Sequence, residues 1–565
     1  MRKLIAFCMF LLMCCAQTLP AAEPAPRLVV LISIDQFPYY YIPRFQPYFT
    51  EGGFNRFLQH GATFSEARYT YSGTYTAPGH AALGSGNPSS INGIVQNHWW
   101  DRFALTSVYC TDDARASSII PGEGFESLSM SPVNLTSDSL GDRLQEHYPA
   151  SRVFGVALKD RAAILMAGRK ATAAYWFDSG IGGFLTTTYY RGADKALLES
   201  FNRGLPEFFH QHLEWTQSSS IPDADLARIT HDPEKLRKYK KNEFELGRSF
   251  PHPIHSTEAL IYTPYGNQIT LQFAERLIET ETLGANPAVP DLLFVSLSSP
   301  DFIGHSFGPD SLEAADSVMR TDRDIAGFLD WLEQRFGDGV TVALSSDHGV
   351  QSIPEVARDL GRDAGRVEIR NPKNSAETFA QLSPGRRLVE EKIARRLGIR
   401  VSDTTSIAQA FIVRLEEPSL YLNWPRINAA HLDADRVLRA ARDAVREVKG
   451  VATSFTSSEL LATTVDSPAV QKMVRRSFRP DRSGDVIVIL KPGYIWDYGL
   501  NAGTTHGQPI EADQHVPIMM WGHGVKPGKY TDSVAPTDLA RTLGALVGVD
   551  AGGVESHVLP CVVVQ

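Results

Sequence analysis

RLVVLISID, residues 27–35, is a continuous apolar, largely β-branched run that closes on a carboxylate, Asp35. Alternating hydrophobicity would mark a strand with one wet face. A run without polar breaks marks a strand covered on both faces, as in a parallel sheet between helix layers. The same form recurs along the chain. DLLFVSLSSPD (291–301) closes on Asp301, VTVALSSDH (340–348) on Asp347 and His348, and SRVFGVALKDR (151–161) on Lys159 and Arg161; GDVIVILKPGY (484–494) is a fifth run far downstream. Helical spacing lies between them: TLQFAERLIETE (270–281) precedes the Asp301 run, SLEAADSVMRTDRDIAGFLDWLEQRF (311–336) follows it, and PTDLARTLGALVG (536–548) is the last helix. This alternation predicts an α/β fold, a doubly wound, mainly parallel sheet flanked by helices. Ligands of such sheets bind outside the carboxyl ends of the strands, where these charged residues fall. One Asp after a strand is ordinarily a turn or a helix cap. Three strand ends carrying acids, two of them with a nearby histidine, point to a site.

The stretch 365–480 reads differently. It holds the helices RLVEEKIARRLG (387–398) and ADRVLRAARDAVREVKG (434–450) and the short strands AFIVRL (410–415) and SLYLNW (419–424). We read it as an inserted α+β subdomain, cap-like because it interrupts the core between two ligand-bearing segments; the core is then 27–364 with 481–560. Residues 190–260, rich in aromatics, proline, histidine and charge, read as long surface loops. The first residues are a separate object. Arg2 and Lys3 precede an apolar run from Leu4 to Ala16 and the small-residue stretch QTLPAAEPAP, so 1–22 has the form of an export signal. A periplasmic or secreted protein is expected. Lipid anchoring at Cys14 or Cys15 is the weaker alternative, because LLMCC lacks a small residue before the cysteine. Beyond the leader only Cys110 and Cys561 remain, either bridged or as two buried thiols.

The 565 residues carry 55 Lys plus Arg against 64 Asp plus Glu, a net charge of −9. That balance excludes a broad nucleic-acid surface, which needs a basic excess. No later apolar stretch is long enough to span a bilayer. A monomer without a membrane span in its mature form is expected.

Asp301 and His305 stand four residues apart in PDFIGH, Asp347 and His348 are adjacent, and GTTHG supplies His506. With Asp35 the candidate ligands are three carboxylates and three imidazoles. Mixed nitrogen and oxygen ligation suits zinc and other first-row divalent ions, whereas all-oxygen sets suit magnesium and calcium. Two such ions can clamp the attacking and leaving oxygens of an in-line displacement. A nucleophile candidate lies in TYSGTYTAPGHAALGSG (70–86), where Pro78 marks a helix start just after Thr76. A hydroxyl there meets free N–H groups suited to an anion. A plain N-cap is the alternative for Thr76.

Taken in order, ISID ending at Asp35, TYTAPGHA containing Thr76, NHWWD beginning at Asn97, LKDR with Lys159 and Arg161, SSPDFIGH with Asp301 and His305, SSDHG with Asp347 and His348, and GTTHG with His506 resemble the alkaline phosphatase superfamily. The likeness is strongest to its single-chain periplasmic, PafA-type branch with a threonine nucleophile, and runs from about 28 to 550. The resemblance implies two Zn2+ ions. Asp35, Asp347, His348 and the Thr76 alkoxide would hold one; Asp301, His305 and His506 would hold the other, at the leaving oxygen. It also implies that Asn97, Lys159 and Arg161 contact phosphoryl oxygens, and that small-molecule phosphate monoesters are hydrolysed through a phosphothreonine. The alternation of Lys159 and Arg161 agrees, because it puts both on one side of an extended segment.

The main alternative is a phosphodiesterase or nucleotide pyrophosphatase, which shares the metals and the threonine. A diester carries less charge and a second organic group, so the Lys159-x-Arg161 pair favours the monoester. A sulfatase would need a cysteine or serine in place of Thr76. A secreted phosphate-binding protein without turnover would be expected to have lost a ligand, and all six are present.

Overall fold

The first strand, β1 (Leu28–Ile34), is buried at every position. In the computed structural model, which describes residues 25–119, 129–218, 220–373, 377–497 and 503–562, it lies at the centre of a ten-stranded sheet. The expected export signal, 1–22, lies outside the described residues. The strands that follow are β2 (Ala62–Ala67), β3 (Ser118–Ile119), β4 (Val153–Ala157), β5 (Ala173–Asp178), β6 (Gly183–Thr187), β7 (Asp291–Leu297), β8 (Val340–Ser345), β9 (Ile412–Glu416), β10 (Ser419–Leu422), β11 (Val451–Thr456), β12 (Val486–Leu490), β13 (Ile518–Gly522) and β14 (Gly528–Val534). The large sheet has the order β14-β2-β13-β8-β1-β7-β4-β5-β6-β3. Its middle five, β8-β1-β7-β4-β5, are all parallel. Antiparallel pairs enter only at β13 on one side and at β6 and β3 on the other. The α/β, mainly parallel architecture is therefore the one present.

Register positions the site. Ile34 pairs with Leu297, Ser33 with Ser345, and Ser296 with Ala157. Asp35, Asp347 and Lys159, one or two residues beyond these pairs, emerge at one edge of the sheet.

Helices cover both faces. α1 (Thr76–Ser85) is buried throughout, and α2 (Asp160–Ala167) packs between it and β4. α3 (Lys195–Gln211) occupies part of the region expected as loops; Asp194 caps it by accepting from the Ala196 and Leu197 N–H groups, and Leu197, Leu198 and Leu205 face the core. Gly204 and Pro206 conceal that helix on paper, yet tertiary burial of its leucines outweighs the propensity penalty. α4 (Tyr265–Thr280) and α6 (Leu312–Phe336) lie close to their expected spans, and a further helix, α5 (Ser299–Phe307), starts directly after β7.

The run 484–494 is not a strand of the large sheet. β12 pairs with β10 and β11 in a separate antiparallel sheet, β9-β10-β12-β11. α7 (Pro384–Leu397) and α8 (Ala434–Val445) pack on one face of this sheet, against Val486, Val488 and Leu490. Ile487 and Ile489 meet Phe455, Leu460 and Val474 on the other. Unbroken hydrophobicity reports burial on both faces and does not say which sheet supplies it. This second core reaches from Val367 to Trp496. The final helix, α9 (Asp538–Leu546), returns to the first core.

Cys110 and Cys561 are free, buried thiols, so the bridged alternative does not hold. Among the described residues no helix is long and apolar enough to cross a membrane.

Candidate metal centre

Asp35 directly follows β1, Asp347 and His348 follow β8, and Asp301 and His305 lie on one face of α5 at i, i+4. Two groups of ligand atoms lie within 4.8 Å of one another: Asp35, Asp347 and His348, and Asp301, His348 and His506. His305 joins the second through Nε2, 3.1 Å from Asp301 Oδ1. His348 stands between the groups, with its ring stacked on His506 at 3.4 Å between centroids.

The chemistry of these donors fits divalent cations. Nδ1 of His305 lies 2.8 Å from the Thr504 carbonyl, Nδ1 of His348 3.0 Å from that of Gly349, and Nδ1 of His506 2.7 Å from that of Thr74. A carbonyl only accepts, so each Nδ1 carries a proton, and Nε2 is the atom left to act as a ligand once the ring is neutral, which for His348 requires a cation to displace the proton that Asp347 favours. Asp35 Oδ1, Asp347 Oδ2 and His348 Nε2 are buried without a well-formed hydrogen bond and face one another, Nε2 lying 3.2 Å from Asp347 Oδ2 and 3.6 Å from Asp35 Oδ1. Unpaired buried acceptors are costly in a folded protein, and a cation satisfies them.

Charge is concentrated here. Burial, then Asp347, raises the Asp35 carboxyl to about 7. Burial would also raise Asp301 and Asp347, but His305 and Lys159 outweigh it at Asp301, and His348 and His80 at Asp347, so both stay well below the usual carboxylate range. Burial would lower the His348 imidazole, yet Asp347 beside it raises it to about 9. Burial, with His348 and His305, holds His506 well below its ordinary value.

Thr76 is the first residue of α1. Tyr75 is the N-cap and no side chain caps the helix, so the plain-cap alternative for Thr76 does not apply. The free Ala77 N–H instead donates to Asn97 Oδ1 at 2.9 Å, which leaves the Asn97 amide hydrogens for a ligand. Arg161 is the second residue of α2 and Lys159 its N-cap, so the two do not share one side of an extended segment as expected; Arg161 Nη1 donates to the Tyr109 hydroxyl at 3.2 Å. Tyr109 in turn donates to Asp160 at 2.8 Å. Burial would lower the Arg161 guanidinium, but Tyr109 and Asp160 hold it above its ordinary value.

Thr76, Asn97, Arg161, Asp301, His305 and His506 line one cavity of about 310 Å3. Lys159 does not line it. Its ammonium is buried against Asp35 Oδ2 at 2.6 Å and Asp301 Oδ2 at 2.5 Å. A larger cleft of about 790 Å3 between Tyr40, Leu360 and Ile510 contains none of these ligands.

Several site residues escape the sequence reading. Gln36 holds Asp301 Oδ1 through Nε2 at 2.5 Å and Asp347 Oδ1 through its backbone N–H at 3.2 Å, from a left-handed backbone with φ 60°. A Cβ at Gly304 would lie 1.8 Å from Gln36 Oε1, so a side chain there would have to displace the amide that holds Asp301. His80 faces Asp347 Oδ2 at 3.3 Å and donates or accepts at Ser296 Oγ, 2.9 Å away. The adjacency of Gln36 to Asp35, and of His80 to the TAPG turn, were the available signals.

The chain matches the type I phosphodiesterase / nucleotide pyrophosphatase family model over residues 29–509. A protein of Myroides odoratus named calcium-transporting ATPase is 33% identical over 93% of this chain and 92% of its own length. Alkaline phosphatase PafA of Elizabethkingia meningoseptica is 30% identical over 94% and 92%. The crystal structure of wild-type alkaline phosphatase PafA superposes with a TM-score of 0.84 at 28% identity, covering 96% of this chain and 100% of that one. A PafA variant with a threonine exchanged for serine, and an asparagine, a lysine and an arginine exchanged for alanine, gives 0.82 at 27%, with the same coverage. The chain belongs to the type I phosphodiesterase / nucleotide pyrophosphatase family, in its PafA-type alkaline phosphatase branch.

Proposed function

We propose that the protein is a zinc-dependent phosphate monoester hydrolase, an alkaline phosphatase acting through Thr76 and exported to the periplasm or beyond. The observation that carries this reading is the convergence of buried ligand atoms of Asp35, Asp347 and His348 that lack hydrogen bonds, near Thr76 at the start of a helix without a side-chain cap. The relatives named alkaline phosphatase support the monoester reaction. The four residue types exchanged in the PafA variant recur here as Thr76, Asn97, Lys159 and Arg161, in the same order and at the same intervals.

Asp35, Asp347, His348 and Thr76 would hold one zinc ion and Asp301, His305 and His506 the other, supplying Lewis acidity to the attacking and leaving oxygens. Asn97 and Arg161 orient the phosphoryl oxygens from the cavity wall, and Lys159 adds a point charge from below. Thr76 Oγ1 attacks phosphorus in line; an Oγ1–P bond forms as the ester P–O bond breaks, and the leaving oxygen takes a proton. Water then attacks the phosphothreonine, freeing phosphate and the Thr76 hydroxyl with net retention at phosphorus. Calcium transport, named for the Myroides relative, finds no membrane-crossing helix among the described residues.

The test is turnover of a chromogenic phosphate monoester and its matching diester, with and without chelator, beside metal analysis. Monoester turnover well above diester turnover, lost on chelation, is expected. The reverse ratio would make the protein a phosphodiesterase, the other activity named for its family. Thr76→Ala should abolish labelled phosphoenzyme and lower kcat by on the order of 10^4 or more. Labelled phosphate on another residue would overturn the nucleophile.

A further inference from the structure

Lys240 and Lys241 are consecutive but serve opposite surfaces. Lys240 is buried, with Nζ 2.7 and 2.8 Å from the two Glu313 oxygens, and His252 Nε2 lies 3.2 Å from the same carboxylate. This pair ties the 190–260 excursion to α6. The Lys241 N–H donates to the Ser306 carbonyl at 2.8 Å, one residue past His305. Its stem lies over Gly503, where an added Cβ would come within 2.6 Å of Lys241 Cε and 2.3 Å of the His305 carbonyl. The backbone of Lys241 is thereby fixed on the His305 side of the cavity, and its side chain lines the wall with Tyr262 and Phe302.

In an in-line displacement the nucleophile and the departing oxygen occupy opposite sides of phosphorus. With Thr76 attacking and the leaving oxygen on the Asp301–His305–His506 side, the rest of the leaving group would extend toward the wall that Lys241 lines. Its ionic partner, Glu243, is 3.8 Å away, beyond hydrogen-bonding distance, and more exposed than the lysine. Arg366, nearby, is already occupied by Glu355 and the Gly503 carbonyl. Lys241 is therefore a cation in the cavity wall without a hydrogen-bonded anionic partner, on the side toward which the leaving group would extend.

We infer that Lys241 is a specificity-determining residue that favours monoesters whose leaving group carries a second anionic group a few bonds from the ester oxygen. The inference rests on the phosphomonoesterase reading. The probes are phenyl phosphate, 4-carboxyphenyl phosphate and 1,4-phenylene bisphosphate, compared by kcat/KM. Lys241→Met should lower kcat/KM for the two anionic substrates about fivefold more than for phenyl phosphate. Glu243→Gln, which removes the competing carboxylate, should shift the ratio the other way. A preference confined to the bisphosphate would identify phosphate as the group recognised, and one confined to the carboxylate would identify a carboxylic acid. Unchanged ratios in both variants overturn the role of Lys241. No turnover of any of the three by the wild-type protein overturns the parent reading and this one with it.

Discussion

The Lys159 ammonium donates to the Asp35 carboxylate at 2.6 Å, and the same Nζ reaches Asp301 at 2.5 Å, so one cation joins carboxylates from both ligand groups. On the proposed reaction, that ammonium also meets a phosphoryl oxygen. Both roles require an exchange of partners as cations enter. Lys159→Met should therefore destabilise chelated protein by about 3 kcal/mol, because it strands buried carboxylates. The metal-loaded variant should lose much less, and denaturant titration of both forms measures the difference. Equal losses would mean that Lys159 never leaves the carboxylates.

The same cluster sets a pH dependence. In chelated protein Asp347 keeps the proton on His348 up to about pH 9, whereas an unfolded histidine releases it near 6.5. The folded state then binds more protons across that window, so stability falls as pH rises from 6.5 to 9. Asp35, raised to about 7, acts with the same sign at lower pH, from its ordinary 3.8 upward. Metal binding needs neutral imidazole and ionised carboxylate, so affinity should tighten over the same range. Thermal unfolding of chelated protein should show a Tm that falls from pH 6.5 to 9, with a flatter profile when metal is bound. A rising Tm in the chelated protein would contradict this protonation pattern.

The candidate ligands Asp35, Asp347 and His348 are legible because each sits where a buried strand ends and interrupts an otherwise apolar run, whereas His305 lies on a helix and His506 in a loop, so only their motifs mark them. Parallel register then gathers Asp35, Asp347 and Lys159 without any further signal. Gln36 is marked in the sequence only by its adjacency to Asp35, since its partners Asp347 and Asp301 are 311 and 265 residues away and its left-handed backbone leaves no mark in composition. Lys241 was hidden in a charged excursion whose anchor, Lys240 on Glu313, exists only after folding. Continuous apolarity does not separate β12 from the strands of the large sheet, because burial on both faces looks the same in either sheet.

Tyr109 should act as the support for Arg161. Its hydroxyl accepts from Arg161 Nη1 at 3.2 Å and donates to Asp160 at 2.8 Å. Asp160 keeps a second donor in Thr111 at 2.7 Å, so Tyr109→Phe leaves it partnered. We expect that variant to lose about 1 kcal/mol of stability and to raise monoester KM roughly fivefold with a smaller change in kcat. An unchanged KM would mean that Arg161 is held by its own burial.

Gln96 connects the second sheet to the phosphate-facing wall. Its Nε2 donates to the Glu417 carbonyl in the turn between β9 and β10, and its Oε1 accepts from the Asn97 N–H at 2.7 Å. Asn97 Oδ1 in turn holds the Ala77 N–H beside Thr76 at 2.9 Å. A further contact, Ser107 Oγ to Glu416 at 3.1 Å, keeps the same hairpin on the core. Gln96→Ala cuts the relay but leaves that second contact, so the protein should stay folded while Asn97 loses its backbone restraint. Monoester kcat/KM should fall about fivefold, and Gln96→Glu, which keeps an acceptor for the Asn97 N–H, should recover part of it. The double variant Gln96→Ala/Asn97→Ala should be no slower than Asn97→Ala alone, because the first change acts through the second residue. Additive losses would mean that Gln96 supports the site by a route other than Asn97.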